Sequence, residues 1–252
     1  MAELKTIASF LDALLDHRVI KDSSLNGLQV DINHDIKKIG FTVDAALDTF
    51  MLAKEQHCDL LIVHHGILWG DGHYPITGLM RERLRCLFLN NLSLYASHLP
   101  LDLHPVYGNN AQLARLLELK DLHAFGEYHG QEIGFQGTLS HEMSLAQFSK
   151  KIEILLSTSC KTLAFGKSLI KSVAIVSGGG ASTLPQAIER TADLLLVGEF
   201  NHSHFHIAKE GKINLLAAGH YATETLGVMA LMPVLKDNFG VETVFLDAET
   251  DL

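Results

Sequence analysis

The chain repeats itself. Ile36-Lys37-Lys38-Ile39 returns as Ile170-Lys171-Ser172-Val173, and Asp59-Leu60-Leu61-Ile62-Val63 returns as Asp193-Leu194-Leu195-Leu196-Val197, both at an offset of 134. Further on, Leu94 to His98 matches Leu216 to His220 at an offset of 122. The difference is absorbed by a shorter stretch after Glu199, which has no counterpart of the Trp69–Pro75 loop. A repeat of this length means that one supersecondary arrangement is built twice. Within each copy, short branched-apolar runs alternate with stretches of helical spacing, the pattern of an α/β fold. The expected architecture is therefore α/β, two repeated halves with mixed sheets flanked by helices. The expected division is 1–120 for the first half, 121–168 for a small α+β insertion or excursion, and 169–252 for the second half.

The coarse reading of elements follows hydrophobic period and caps. Leu4, Ile7, Ala8, Leu11 and Leu15 space a helix over 4–15. Ile39 to Val43 predicts a strand, and 44–57 a helix with Asp44 as N-cap. Leu60 to Val63 predicts a buried strand running into His64-His65-Gly66. A helix is expected over 81–90 and a strand over 92–97. Pro100 argues against regular helix around His98 until a new turn begins. In the central segment, 133–139 reads as a strand and 144–156 as a helix capped by Ser144. Residues 202–209 read as helix.

Composition narrows the class. Apolar residues make up 47% of the 252 and charged residues 19%, which is the balance of a folded protein. A formal charge of −9 disfavours nucleic acid and anionic membrane as partners. Cys58, Cys86 and Cys160 are scattered, odd in number and without CxxC spacing, so reduced thiols in a cytoplasmic protein are expected. No apolar run reaches the roughly 18–20 residues of a membrane span, and the N-terminus has no signal-peptide core. Fifteen histidines is the unusual count. Imidazole is the commonest metal ligand and proton carrier near neutral pH.

The histidines with the most chemical meaning sit where strands end. In α/β sheets that is where sites are built. His64 and His65 close the Leu60–Val63 strand of the first half. Neighbours on a strand point to opposite faces, an arrangement that suits two ions better than one. His98 and Asp102 are four apart, as are His220 and Glu224 at the equivalent place in the repeat. On a helix that spacing shares a face. The resulting ligand pool is His64, His65, His98, Asp102, Glu199, His220 and Glu224. Mixed imidazole and carboxylate donors suit zinc, iron, manganese, nickel or cobalt, and two such ions acidify water for hydrolysis. Gly178-Gly179-Gly180 lacks the Lys-Ser/Thr of a phosphate loop and reads as a tight strand-to-helix turn. His202, His204 and His206 would splay on a helix, with His206 the one left to line a site. Trp69 and Tyr74 either stack on a planar substrate or pack within their loop. His57, His123, His129 and His141 read as surface residues. No Ser-His-Asp or Cys-His nucleophile stands out.

With these motifs on the page, the chain resembles the dinuclear-metal family known as GTP cyclohydrolase 1 type 2, or Nif-three-like, in its short bacterial branch. The resemblance is carried by Asn26-Gly27-Leu28-Gln29, Val63-His64-His65-Gly66, Ser97-His98-Leu99-Pro100-Leu101-Asp102, Gly108-Asn109-Asn110, Val197-Gly198-Glu199 and Gly219-His220-Tyr221-Ala222-Thr223-Glu224. It implies intertwined α/β halves, a toroidal homohexamer, and two divalent transition-metal ions per chain (Zn, Fe, Mn or Ni) between the halves. It places the metal ligands on His64, His65, Asp102, His220 and Glu224, makes His98 the catalytic neighbour, and demotes Glu199. One departure is Leu99, where many relatives carry a polar residue. The activity it implies is metal-dependent hydrolysis of a nucleotide or related heterocycle by a cytoplasmic protein acting on a small molecule. The rival reading is a metal-binding ring that serves as scaffold or regulator without catalysis.

Overall fold

The computed structural model describes residues 2–32, 35–71 and 75–250. The chain forms two compact units, Met1–Tyr107 with Gly227–Ala248, and Gly108–Leu226 with Glu249–Leu252. Both are α/β, with sheets flanked by helices.

The first unit is built on a five-stranded sheet in the order Glu242–Phe245, Lys38–Asp44, Leu60–His65, Ser93–Ala96, Gly27–Val30. The first four strands are parallel and Gly27–Val30 is antiparallel. Strand period sorts the side chains. Ile39, Phe41, Leu60, Ile62 and Tyr95 join one core with Leu4, Ile7 and Leu11 of the Leu4–Leu15 helix. Leu61, Val63, Leu94 and Ala96 join the other, with Phe50 and Leu87. Alternate residues of one strand thus feed opposite cores, and helices cover both faces of the parallel region as such sheets require.

The second unit holds a six-stranded sheet in the order Lys120–Tyr128, Gln131–Ser144, Leu169–Val176, Leu194–Val197, Asn214–Ala217, Lys161–Ala164. Its three central parallel strands repeat those of the first unit in register. Ile39 pairs with Leu60 and Phe41 with Ile62; Val173 pairs with Leu194 and Ile175 with Leu196. The repeat extends to hydrogen bonds. Asp59 Oδ2 accepts from the N–H groups of Lys37 and Lys38 at 2.7 and 3.0 Å. Asp193 Oδ2 accepts from Lys171 and Ser172 at 3.0 and 2.9 Å.

Four expectations need correction. The linear division at 120 and 168 is not where the compact units part. The 121–168 segment is no insertion, because Lys120–Tyr128, Gln131–Ser144 and Lys161–Ala164 are strands of the second sheet. The chain also crosses back: the His220–Phe239 helix begins in the second unit and continues in the first from Gly227. Asp44 ends a strand and caps no helix; Thr49 Oγ1 accepts from the Ala46 N–H at 3.0 Å, and Ala46 is the N-cap. Pro100 does not prevent helix. It lies in the first turn of Leu99–Leu103, where its missing N–H costs nothing. Finally, Val63 pairs with Ala96 and Val197 with Ala217, so the third strands correspond at an offset of 121 and His220 sits one residue later than His98 does.

Candidate metal centre

In the first unit, His65 is the last residue of its strand and the register partner of Asp44. Its Nδ1 lies 2.8 Å from Asp44 Oδ1. His64 is fully buried, with Nδ1 2.9 Å from the Ser97 carbonyl oxygen and Nε2 3.3 Å from Asp102 Oδ2. His98 turns its Nδ1 to Asp22 Oδ1 at 2.9 Å. The His64 and His65 rings do not diverge as strand neighbours would. Their centroids are 4.8 Å apart. Ligand atoms of His64, His65 and His98 all fall within 4.8 Å of one another. Trp69 packs edge-on to His98 with centroids 5.1 Å apart, and its indole N–H donates to the Gly66 carbonyl. Tyr74 lies outside the described residues.

The Asn26–Gln29 motif supports this group. Asn26 Oδ1 accepts the His98 N–H at 2.7 Å, and Asn26 Nδ2 donates to Asp22 Oδ2 at 2.9 Å. Asp22 Oδ2 also accepts the Leu99 N–H at 3.0 Å. Burial pushes the Asp22 carboxyl up, but His98 and the donors of Asn26 and Ser24 outweigh it and hold the group down to about 2. Gln29 Oε1 accepts from Ile67 and Leu68 at 2.8 and 3.3 Å. A Cβ on Gly66 would come within 2.3 Å of the Gln29 amide, so glycine is needed for that approach. Asp22 and Asp44 were not among the residues expected from sequence. The signal available was an acid at the strand end beside His65, which the helix-cap reading of Asp44 obscured.

In the second unit, Gly219 (φ +89°) turns the chain from strand to helix, and His220 opens that helix with Glu224 one turn on. His220 Nε2 is 3.2 Å from Glu224 Oε1 and Nδ1 is 3.2 Å from Glu199 Oε1. Burial would lower the imidazole, but the two carboxylates raise it to about 9. Glu199 and Glu224 thus flank His220 on its two ring nitrogens. The Gly178–Gly180 stretch is a tight turn. Gly178 (φ +56°) leaves no room for a side chain, since a Cβ there would lie 2.0 Å from Glu224 Oε1 and 3.1 Å from His220 Nε2. Its N–H donates to Thr223 Oγ1 at 3.0 Å, and its carbonyl accepts from Gly198 and Glu199. His202 and His206 meet edge to face at 6.5 Å, and His204 turns back to Asn201. None of the three belongs to a metal-compatible cluster among the described residues. His57, His123, His129 and His141 are exposed.

One pattern unites the two groups. His64, His65, His98 and His220 each hold Nδ1 against an oxygen, so Nε2 is the nitrogen that could meet a cation. Metal-ligating histidines are oriented and made more basic in this way. Asp102 lies beside His64 and Glu224 beside His220, and imidazole with carboxylate is a donor combination that could hold zinc, iron, manganese or nickel.

A model of the Duf34/NIF3 (NGG1p interacting factor 3) proteins matches residues 2–252. The chain belongs to the Duf34/NIF3 family. It is 47% identical over 247 residues to a protein of Pyrococcus horikoshii named GTP cyclohydrolase 1 type 2 homolog, covering 98% of both chains. A relative of the same name from Deinococcus radiodurans is 43% identical, covering 92% of this chain and 88% of that one. Among solved structures, protein ybgI, of unknown function, superposes with a TM-score of 0.93 at 31% identity, covering 99% of this chain and all of that one. TTHA1606 of Thermus thermophilus gives 0.90 at 39% identity with the same coverage. The resemblance read from the motifs is thus the family the chain belongs to. Among the described residues of this Duf34/NIF3 chain, no helix is long and apolar enough to cross a membrane.

Proposed function

We propose that this Duf34/NIF3 protein is a metal-dependent hydrolase that uses His64, His65, Asp102, His220 and Glu224 as ligands for two divalent transition-metal ions. The observation that carries the reading is the shared posture of the four histidines, each held through Nδ1 by an oxygen. Side chains that need only pack or stay solvated have no reason to adopt one such arrangement four times. When bound, the ions supply water of lowered pKa and Lewis-acid polarisation of the scissile group. The remaining steps fall to the chain's own residues. His98, anchored by Asp22, takes or returns a proton at Nε2, since Nδ1 is committed to the carboxylate. Asp44, Glu199 and the Ser97 carbonyl fix ring orientation. Trp69 walls the histidine group and limits water access. The names of relatives point to a nucleotide or similar heterocycle as substrate. In this reading the working form is a toroidal homohexamer in the cytoplasm.

The test is elemental analysis of purified protein followed by a nucleotide-hydrolysis screen. About two ions per chain are expected, with His65→Ala and Glu224→Ala losing both metal and turnover. Hydrolysis undiminished in metal-stripped protein would overturn the proposal. Full metal loading without turnover of any nucleotide would favour the scaffold reading.

A further inference from the structure

The second unit contains a cavity of about 390 Å³, at the small end of the range for small-molecule sites. Part of its wall is Gly219, Tyr221 and Glu199, which flank His220 or touch it. The rest brings together donors that no role described so far uses: Lys161 and the hydroxyl-bearing run Ser157-Thr158-Ser159. Local structure explains why they meet there. The Leu145–Leu156 helix ends on Ser157 in the left-handed region (φ +51°), and the Thr158 N–H closes back on Glu153 O. The chain then enters the Lys161–Ala164 strand, whose first residue pairs with Ala217. Ala217 is the last residue of the strand that leads to His220, so Lys161 stands at the carboxyl end of the sheet, where α/β sites form. Among the described residues, the Lys161 ammonium makes no ion pair and the three hydroxyls make no side-chain hydrogen bond.

Lys161 and three hydroxyl-bearing residues line this cavity together with the Glu199 and Glu249 carboxylates, and an ammonium with hydroxyls supplies the donors that an anionic oxygen cluster requires. We propose that this cavity is a phosphate subsite. Lys161 and the Ser157–Ser159 hydroxyls hold the phosphate of a phosphorylated, ring-bearing substrate and leave its other end beside Glu199 and His220. Glu249 also lines the cavity and supplies an acceptor for a hydroxyl or ring N–H of the same ligand. The inference deepens the hydrolase reading and rests on it only for what happens at His220.

Isothermal titration of metal-loaded protein with guanosine 5′-monophosphate and with guanosine separates the two ideas. The monophosphate is expected to bind at least about tenfold tighter. Lys161→Gln is expected to erase that preference while guanosine affinity and metal content stay unchanged, and Ser159→Ala to reduce it. Equal affinity for the two probes, or no binding of the monophosphate, overturns the subsite. So does a preference that survives Lys161→Gln, since the phosphate would then be held by the metal ions. A Lys161-dependent preference in a protein that hydrolyses no nucleotide would uphold the subsite and sink the hydrolase reading instead.

Discussion

The Nδ1 of His65 lies 2.8 Å from Oδ1 of Asp44, and the two residues are direct partners on adjacent parallel strands. The sheet itself therefore sets the imidazole's orientation, which a flexible loop would not do. Removing the acid should leave the fold intact, because Asp44 is at a strand end and only partly buried. Asp44→Ala is expected to weaken metal binding by about 10–100-fold, the usual effect of losing a carboxylate behind a ligating histidine. Competition with a chromophoric chelator measures it, and an unchanged thermal midpoint of the metal-free protein would confirm that the effect is local.

Gly178 is the tightest point of the second group. Alanine there would place a Cβ 2.0 Å from Glu224 Oε1, at a backbone φ of +56°. The left-handed conformation alone costs a residue with a Cβ about 1–3 kcal/mol, and the clash must also displace Glu224 from His220. Gly178→Ala should therefore lower both stability and metal content. Gly179→Ala, where nothing lies within 4 Å of the added atom, should leave both nearly unchanged. Urea denaturation and elemental analysis on the pair of variants make the comparison.

Gln29 accepts two N–H groups from the segment that follows His65. Truncation leaves partly buried donors without that acceptor, at a cost of about 1–3 kcal/mol. It also frees the Ile67–Leu68 segment and Trp69 beyond it. Gln29→Ala is expected to lower stability and to raise hydrogen exchange over residues 66–69, with exchange in the Leu4–Leu15 helix unaltered.

The repeat and the strand ends were legible in the sequence because these depend on short-range pattern. Apolar period gave the Leu60–His65 strand, and Ser144 with Gln147 does form the capping box over the Leu145–Leu156 helix. What was not legible depends on distant pairing. Lys120–Tyr128 is exposed along much of one face and has little apolar period, so only its pairing with Gln131–Ser144 identifies it as a strand. Asp22 lies 76 residues from His98 in the chain, and no spacing rule connects them. Asp44 sits before a helix, where an acid reads as a cap; only the alignment of two strands reveals that it faces His65.

The Asp193 carboxylate gives a pH dependence separate from the metal-ligand chemistry. Burial alone would raise its pKa. The Lys167 ammonium at 2.7 Å and the N–H groups of Ser172 and Lys171 outweigh burial and hold it below its ordinary value. A carboxyl lowered in the folded state binds its proton more weakly there than in the unfolded chain. Its contribution is therefore fully present above the unfolded pKa of about 3.9 and is lost as pH falls from there through the lower native value. Asp193→Asn should lose the contribution of two charge-assisted backbone hydrogen bonds at neutral pH, about 1–3 kcal/mol, and should flatten the acid limb of the stability profile below about pH 4. Lys167→Ala should change far less, because that lysine is solvent-exposed and its ion pair is screened. Urea midpoints from pH 7 to pH 3 for the three proteins provide the measurement. An acid limb as steep in Asp193→Asn as in the wild type would show that other carboxyls govern acid unfolding.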